Sequence, residues 1–132
     1  MTIPVTFGDC DPAGLVFYPN FLRWFDTSFQ NILSARGFDQ RRIQERFDAV
    51  GTGVMDVKSS FRAPVRYGDD LTIVSRIASY SNRSFEVTHE ASVDGRLCVE
   101  ALEIRGLFAM RDGRLKALDI TPIKALLEHA TS

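Results

Sequence analysis

The residue types that build metal centres and disulfide frameworks are scarce in this chain. Its 132 residues include two cysteines, Cys10 and Cys98, and two histidines. The cysteines are far apart in the sequence and are accompanied by too few histidines for a ligand set, so the pattern predicts neither a disulfide framework nor a metal site. We therefore expect a protein that needs no metal and no other cofactor.

The chain also lacks an excess charge of either sign. Sixteen basic residues stand against 17 acidic ones, and the formal net charge is −1. Such a balance gives no overall field to attract nucleic acid or an anionic membrane, so any anionic ligand must meet a local cluster. No window approaches 18 uninterrupted apolar residues, and residues 1–6 carry no basic region. We expect a soluble cytoplasmic protein with neither nucleic acid nor membrane as a partner.

The most informative stretch runs from Phe7 to Asn20 and reads FGDCDPAGLVFYPN. Asp9 and Asp11 lie among glycine and proline, which predicts a short loop that carries carboxylates. Pro19 suits the first position of a helix, because its missing N–H costs nothing there. A helix N-terminus presents unpaired N–H groups and a partial positive charge, which can hold the oxyanion formed when a carbonyl is attacked.

This combination predicts a catalytic site. Asp11 would act as nucleophile or general base, and the backbone N–H of Tyr18 would donate to the oxyanion. The spacing alone is weak evidence for such a site, because aspartate-rich turns are usually structural, with side chains that bond to nearby backbone N–H groups.

The hydrophobic pattern predicts one long helix and five or six mostly antiparallel strands. Apolar residues recur at intervals of three and four from Phe21 to Leu33, and Gly37 is a plausible stop. From Val50 to Met110 the period changes to two, with a hairpin signal at Asp94-Gly95. Shorter elements are predicted as a strand at 2–7, a surface helix at 39–48, a strand at 115–118, and a helix from a cap at Thr121 to about 128.

These elements favour a single domain over residues 1–132 of the α+β class, with an antiparallel sheet wrapped around the long central helix. One face of such a sheet is covered by the helix and the other still needs cover. We therefore expect at least two subunits to associate.

The residues from Asp9 to Phe21, followed by RWFD at 23–26, resemble the 4-hydroxybenzoyl-CoA thioesterase family of hotdog-fold proteins. The block at 61–71, the turn at 83–85 and the strand at 104–110 are similar to the same family. The resemblance implies a hotdog fold whose subunits pair edge to edge and often form homotetramers, with ligand sites at subunit interfaces. It implies hydrolysis of an acyl-CoA thioester, in which Asp11 matches the catalytic carboxylate. A thiolate leaves readily, so no strong general acid is required.

The resemblance also implies how the two ends of the substrate are bound. Phe17 would line the acyl pocket, and Asp26 would accept a hydrogen bond from a substrate hydroxyl. A salt bridge from Asp26 to Arg23, or an interface contact, is an equal alternative. Asn82, Arg83 and Ser84 lie at the turn where the family contacts the CoA phosphates.

The chain departs from the family at that turn, because it has one arginine where the family has a denser basic cluster. Two alternatives stay open: this chain binds CoA with lower affinity, or Arg62 and Arg66 also contribute to CoA binding.

Three other polar residues in the sequence are assigned structural roles. Asp9 is expected to bond to the loop backbone. Cys10 lies between two carboxylates, which disfavour the thiolate, and is not expected to react. His89 falls on the apolar face of its strand and is interpreted as a core or interface residue.

We therefore expect a hydrolase that acts on an aromatic acyl-CoA such as 4-hydroxybenzoyl-CoA. A short-chain aliphatic acyl-CoA thioesterase would keep the Asp11 chemistry and change the pocket. A non-catalytic acyl-CoA-binding module is the alternative from another class. A hotdog dehydratase or hydratase is disfavoured, because such sites generally need a histidine paired with a carboxylate and the motif contains none.

Overall fold

The computed structural model describes residues 1–129 and contains both helices and strands. In chain order these are β1 Thr2–Pro4, a 3₁₀ helix Phe7–Asp9, α1 Pro19–Ala35, α2 Gln40–Phe47, β2 Gly51–Phe61, β3 Asp70–Tyr80, β4 Phe85–Val93, β5 Arg96–Arg111, β6 Arg114–Ala117 and α3 Thr121–His129. No helix within this range is long and apolar enough to cross a membrane. Residues 130–132, which the predicted domain includes, lie outside the described residues.

The strands form one sheet in the order β1-β3-β4-β5-β2, and β6 also pairs with β5. β1 runs antiparallel to β3, with Ile3 opposite Leu71, and β6 runs antiparallel to β5, with Ala117 opposite Phe108. β1 contains Pro4 and lies at the end of the order, as expected for a residue that cannot donate to a ladder. The predicted α+β class, with five or six antiparallel strands and one long helix, is confirmed.

Two hairpins turn on aspartate-glycine pairs. Asp94 and Gly95 have φ values of +50° and +78°, and Asp112 and Gly113 have +52° and +73°. Positive φ at both central residues is the geometry of a two-residue type I′ turn, which matches the twist of the flanking strands. The hairpin predicted at Asp94-Gly95 is confirmed.

The ends of α1 follow local chemistry. The helix begins at Pro19, as predicted. At its other end Gly37 has a φ of +80°, its N–H donates to the Ser34 carbonyl at 2.9 Å, and the Phe38 N–H donates to the Leu33 carbonyl at 3.0 Å. These bonds satisfy carbonyls of the last turn, so the predicted stop at Gly37 is confirmed.

The last strand is β6 Arg114–Ala117 and not 115–118, and two other predicted boundaries are wrong for a reason seen in the hydrogen bonds. The first strand ends at Pro4 and not at Phe7, because the Asp9 carboxylate accepts from Thr6 and draws the following residues into the 3₁₀ turn. Thr121 is not the cap of α3 but its first residue. The Asp119 carboxylate performs the capping, since it accepts from the Thr121 N–H at 2.8 Å.

By their contacts the described residues form two compact units. The first consists of Met1–Phe29, Lys58–Arg76 and Thr88–Leu102, and the second contains the remaining described residues. The first unit has a core of buried apolar side chains from α1 and the strands, including Phe21, Trp24, Phe25, Leu71, Ile73, Ala91, Val93 and Val99. In the second unit, Glu103 and Arg105 form a buried ion pair, with Nε to Oε1 at 3.0 Å and Nη2 to Oε2 at 3.1 Å. The two-point contact lets these charges remain buried.

A chain of polar side chains crosses the core of the first unit. The Ser28 hydroxyl lies 2.6 Å from the Ser75 hydroxyl, which lies 2.5 Å from Nδ1 of His89. The His89 ring is fully buried and stacks on Phe25, with 4.8 Å between ring centroids. These contacts tie α1 to β3 and β4, and His89 is a core residue as predicted.

Replacing Ser75 by alanine removes the hydroxyl that joins Ser28 to His89 in a buried site. We expect the free energy of unfolding to fall by about 1–3 kcal/mol, measured by urea denaturation. Ser60→Ala, at an exposed serine of β2, is the control and should stay within about 0.5 kcal/mol of the parent protein. Equal stability of the two variants would contradict a role for this hydroxyl chain.

Candidate active site

The loop before α1 is held at its start by Asp9. Both the N–H and the hydroxyl of Thr6 donate to Oδ2 of Asp9 at 2.9 Å. The other carboxylate oxygen lies 4.0 Å from the Arg23 guanidinium. The prediction that Asp9 bonds to the loop backbone is confirmed.

The loop closes on itself through backbone contacts. Cys10 and Val16 form an isolated antiparallel bridge, and the Asp11 N–H donates to the Leu15 carbonyl at 2.8 Å. Gly14, with a φ of +78°, makes the return and donates to the Asp11 carbonyl at 2.9 Å. A residue with a side chain would be strained there, so the glycine of the motif has a conformational reason.

The Asp11 carboxylate is oriented by the same loop. Its Oδ1 accepts from the Ala13 N–H at 2.9 Å and from the Leu15 N–H at 3.3 Å. Within residues 1–129 no hydrogen bond reaches Oδ2. The side chain is half-buried. The carboxylate is thus fixed through one oxygen and presents the other.

The start of α1 is tied to the same loop. The Phe17 N–H and the Asn20 side-chain amide both donate to the Asp9 carbonyl at 2.9 Å. Tyr18 directly precedes the first helical residue, and among residues 1–129 its N–H has no acceptor. An N–H at this position, with the dipole of a 17-residue helix behind it, can donate to a developing negative charge.

Cys10 shares the loop but is not set up to react. Burial raises the pKa of its thiol, and the negative charges of Asp9, Asp11 and Asp69 raise that pKa further. The thiol donates to the Thr6 carbonyl at 3.5 Å. The predicted suppression of the thiolate by neighbouring carboxylates is confirmed, although burial is the larger cause.

A cavity of about 270 Å³ brings the two motif blocks of the sequence together. The first block supplies residues at the end of the loop and the start of α1, and the second supplies the end of β2 and the segment after it. The lining residues are Leu15, Val16, Tyr18, Phe21, Phe61, Arg62, Ala63, Pro64, Val65 and Val99. The sequence predicts no site role for Phe61 or Val99, although both line the cavity. For Phe61 the similarity of the 61–71 block to the family is a signal, and for Val99 there is none.

Arg62 lies in this lining but is already engaged. Its Nε donates to the Glu100 carboxylate at 3.0 Å, and its Nη2 contacts the same oxygen. At Arg66 the backbone N–H donates to the Asp69 carboxylate at 2.8 Å. The ion pair with Glu100 weakens the argument that Arg62 shares in binding CoA phosphates.

Phe17 and Asp26 lie outside the cavity lining. The Phe17 ring is 52% exposed and packs edge-on against Tyr18, with 5.5 Å between centroids. Asp26 is exposed on α1. Both residues belong to the same unit as Asp11 and Tyr18. Their exposure places both side chains at the surface of that unit.

Asn82, Arg83 and Ser84 form the turn between β3 and β4 in the second unit. The turn is closed by a hydrogen bond from the Ser81 N–H to the Ser84 carbonyl at 2.8 Å. The Asn82 and Arg83 side chains are exposed, and Ser84 is half-buried. The turn therefore offers one guanidinium and one amide to a ligand.

The segment before α3 is a neighbour of this turn. The Ile120 N–H donates to the Asn82 carbonyl at 3.0 Å. Hydrogen bonds from Thr121 hold the pKa of the Asp119 carboxyl below its ordinary value, and the positive charge of Arg83 lowers that pKa further. The backbone of the turn is thus anchored from the α3 side while its polar side chains stay at the surface.

Comparisons with known proteins agree with this arrangement. Residues 5–127 match the model of the Thioesterase-like superfamily. The chain is 39% identical to the 4-hydroxybenzoyl-CoA thioesterase of Pseudomonas sp. strain CBS-3, over 88% of this chain and 86% of that protein. The solved structure of the Pseudomonas enzyme superposes with a TM-score of 0.88 at 32% identity and covers 96% of each chain.

Two further relatives have similar names. A solved 4-hydroxybenzoyl CoA thioesterase with an aspartate-to-asparagine substitution, complexed with 4-hydroxybenzoyl CoA, has the same TM-score of 0.88 and 32% identity, over 96% of this chain and 95% of that one. The 1,4-dihydroxy-2-naphthoyl-CoA hydrolase of Synechococcus sp. strain WH7803 is 30% identical over 67% of this chain and 62% of that protein. The chain therefore belongs to the 4-hydroxybenzoyl-CoA thioesterase family of hotdog-fold proteins.

Proposed function

We propose that this thioesterase hydrolyses the CoA thioester of a hydroxylated aromatic acid, 4-hydroxybenzoyl-CoA or a close relative, to the free acid and CoA. The observation that carries the proposal is the Asp11 carboxylate, fixed by backbone N–H groups through one oxygen in a loop tied to the start of α1. The acyl groups in the names of its relatives are hydroxylated aromatics, which supports the choice of substrate.

Two routes use Asp11. As nucleophile, its free oxygen forms a bond to the thioester carbon while the C–S bond breaks, and CoA leaves as thiolate; water then cleaves the resulting mixed anhydride. As general base, the carboxylate takes a proton from water and the hydroxyl oxygen bonds to the same carbon. The C–S bond then breaks, and the proton is passed on to the CoA thiolate as it leaves. Both routes begin from the same position of the carboxylate.

In both routes negative charge develops on the carbonyl oxygen of the thioester when its carbon is attacked. The Tyr18 N–H and the N-terminal end of α1 would stabilise that charge, since an unpaired backbone donor that is already oriented costs no reorganisation during the reaction. The asparagine variant of a relative that forms a complex with 4-hydroxybenzoyl CoA supports a catalytic role for an aspartate in this family.

Replacing Asp11 by asparagine keeps the acceptor oxygen for the loop N–H groups and removes the negative charge. We expect kcat for 4-hydroxybenzoyl-CoA to fall by about 10²- to 10⁴-fold, measured by thiol release. Asp9→Asn is the matched control, because it also removes a negative charge from the loop while keeping an acceptor oxygen for the two Thr6 donors. Asp9 has no assigned role in the chemistry, so this variant should retain most of the activity. An Asp11 variant as active as the Asp9 variant would contradict the mechanism.

At the acyl end we propose that Phe17 packs against the aromatic ring and that Asp26 accepts a hydrogen bond from its hydroxyl. Both side chains face the surface of the single chain. This fits a site completed by a second subunit, which would cover them.

The hydroxyl contact can be tested with paired substrates. We expect Asp26→Ala, which removes the acceptor, to lower kcat/KM for 4-hydroxybenzoyl-CoA by about 10- to 100-fold, the value of one hydrogen bond to a charged group. For benzoyl-CoA, which lacks the hydroxyl, kcat/KM should change little. An equal loss on both substrates would assign Asp26 to the packing of α1 or to an interface instead.

We propose a homodimer or homotetramer with sites at subunit interfaces. β2 is the last strand in the sheet order and carries exposed apolar side chains at Val54, Val57 and Phe61. An exposed apolar edge strand readily pairs with another chain. Sedimentation equilibrium at micromolar concentration should give a dimer or tetramer, and a monomer that remains fully active would contradict the proposal.

For the nucleotide end we propose that Asn82, Arg83 and Ser84 contact the CoA phosphates.

We further propose that residues 1–132 act as one thioesterase domain, which the family match over residues 5–127 supports. A cytoplasmic location is compatible with the free thiols of Cys10 and Cys98.

A further inference from the structure

The turn between β3 and β4 lies directly against β5 at Gly106. A Cβ atom built on Gly106 would lie 3.2 Å from the Arg83 carbonyl oxygen, 2.5 Å from Cε of Met55 and 3.5 Å from Cε2 of Phe108. Gly106 is not among the residues with positive φ. The backbone conformation would therefore accept a side chain, and it is the lack of space that requires glycine.

The two closest neighbours differ in how they can respond. Cε of Met55 is the end of a flexible side chain that is 42% exposed, so it can turn away at low cost. The Arg83 carbonyl belongs to the backbone of the turn, which is also bonded from Asn82 to Ile120 at 3.0 Å. A methyl group at position 106 would therefore displace the turn by a few tenths of an ångström.

A displacement of this turn moves the polar groups that it presents. The Asn82 and Arg83 side chains are exposed, while the backbone of the turn is bonded to Ile120 on one side and lies close to Gly106 on the other. Charge-assisted hydrogen bonds to phosphate are short and directional, so their strength depends on the position of the backbone that carries the donors.

We propose that Gly106 is a positioning residue for the nucleotide end of CoA. Because it has no side chain, the backbone of the 82–84 turn can pack directly against β5, and this places the Asn82 and Arg83 side chains where they can bind the phosphates. The inference rests on the proposed function of the turn. Gly106 itself touches no substrate and acts through the Arg83 carbonyl.

The test compares two thioesters of the same acid. We expect Gly106→Ala to raise KM for 4-hydroxybenzoyl-CoA by about 3- to 10-fold at unchanged kcat, a loss of about one hydrogen bond. For the 4-hydroxybenzoyl thioester of N-acetylcysteamine, which lacks the nucleotide, kcat/KM should stay within about 2-fold. A loss of packing that weakened the whole domain would lower kcat/KM for both thioesters.

Two controls separate the turn from its surroundings. A Cβ on Gly53 would meet only the Phe108 ring, at 3.1 and 3.2 Å, so Gly53→Ala crowds the same pair of strands without touching the turn and should leave KM for the CoA ester unchanged. Met55→Ala/Gly106→Ala removes the shortest contact and keeps the one with Arg83. Compared with Met55→Ala alone, the double variant should retain the full rise in KM, and it also provides a folded protein if the single glycine variant is unstable.

The outcomes distinguish this inference from the function on which it rests. If the double variant matches Met55→Ala, or if Gly106→Ala changes both thioesters alike or neither, the positioning role is wrong. If the parent protein hydrolyses neither thioester, it is the proposed function that fails.

Discussion

The hydrogen bonds that Asp9 and Asp11 accept from nearby N–H groups hold the loop before α1, and the proposed chemistry depends on them. Asp9 accepts from both donors of Thr6, and its carbonyl receives the Phe17 N–H and the Asn20 amide. Asp11 is fixed through Oδ1 by the Ala13 and Leu15 N–H groups. Because these bonds satisfy one Asp11 carboxylate oxygen and leave the other available, the same turn can be both a structural element and the proposed site. The structural and catalytic interpretations of an aspartate-rich loop are therefore compatible here.

The loop and α1 work together because the chain passes from one to the other within a few residues. Pro19 starts the helix directly after Tyr18, so the unpaired N–H and the helix dipole lie at the end of the loop that carries Asp11. The chain Ser28–Ser75–His89 and the stacking of Phe25 on His89 hold α1 against β3 and β4 in the same unit. The position of the proposed oxyanion donor, the Tyr18 N–H, thus depends on core packing as much as on the loop.

The sequence predicts local features of this molecule well. Pro19, Gly37 and the pair Asp94-Gly95 determine backbone geometry by their own chemistry, and the predictions at all three are confirmed. The predicted boundaries at Phe7 and Thr121 are wrong because a side chain two or three residues away, Asp9 or Asp119, forms the decisive hydrogen bond. Contacts between distant segments could not be read from the pattern. The approach of Arg83 to Gly106, and the entry of Val99 into the cavity wall, depend on how strands pair and on the space between them.

The most direct test of the central claim is steady-state hydrolysis by the unmodified protein of four thioesters: 4-hydroxybenzoyl-CoA, benzoyl-CoA, phenylacetyl-CoA and a short aliphatic acyl-CoA. The roles proposed for Asp11 toward the thioester and for Asp26 toward a phenol predict the highest kcat/KM for 4-hydroxybenzoyl-CoA. Activity confined to the aliphatic ester would keep the Asp11 chemistry and contradict the aromatic substrate. Tight binding of all four without turnover would contradict the catalytic account and favour an acyl-CoA-binding module.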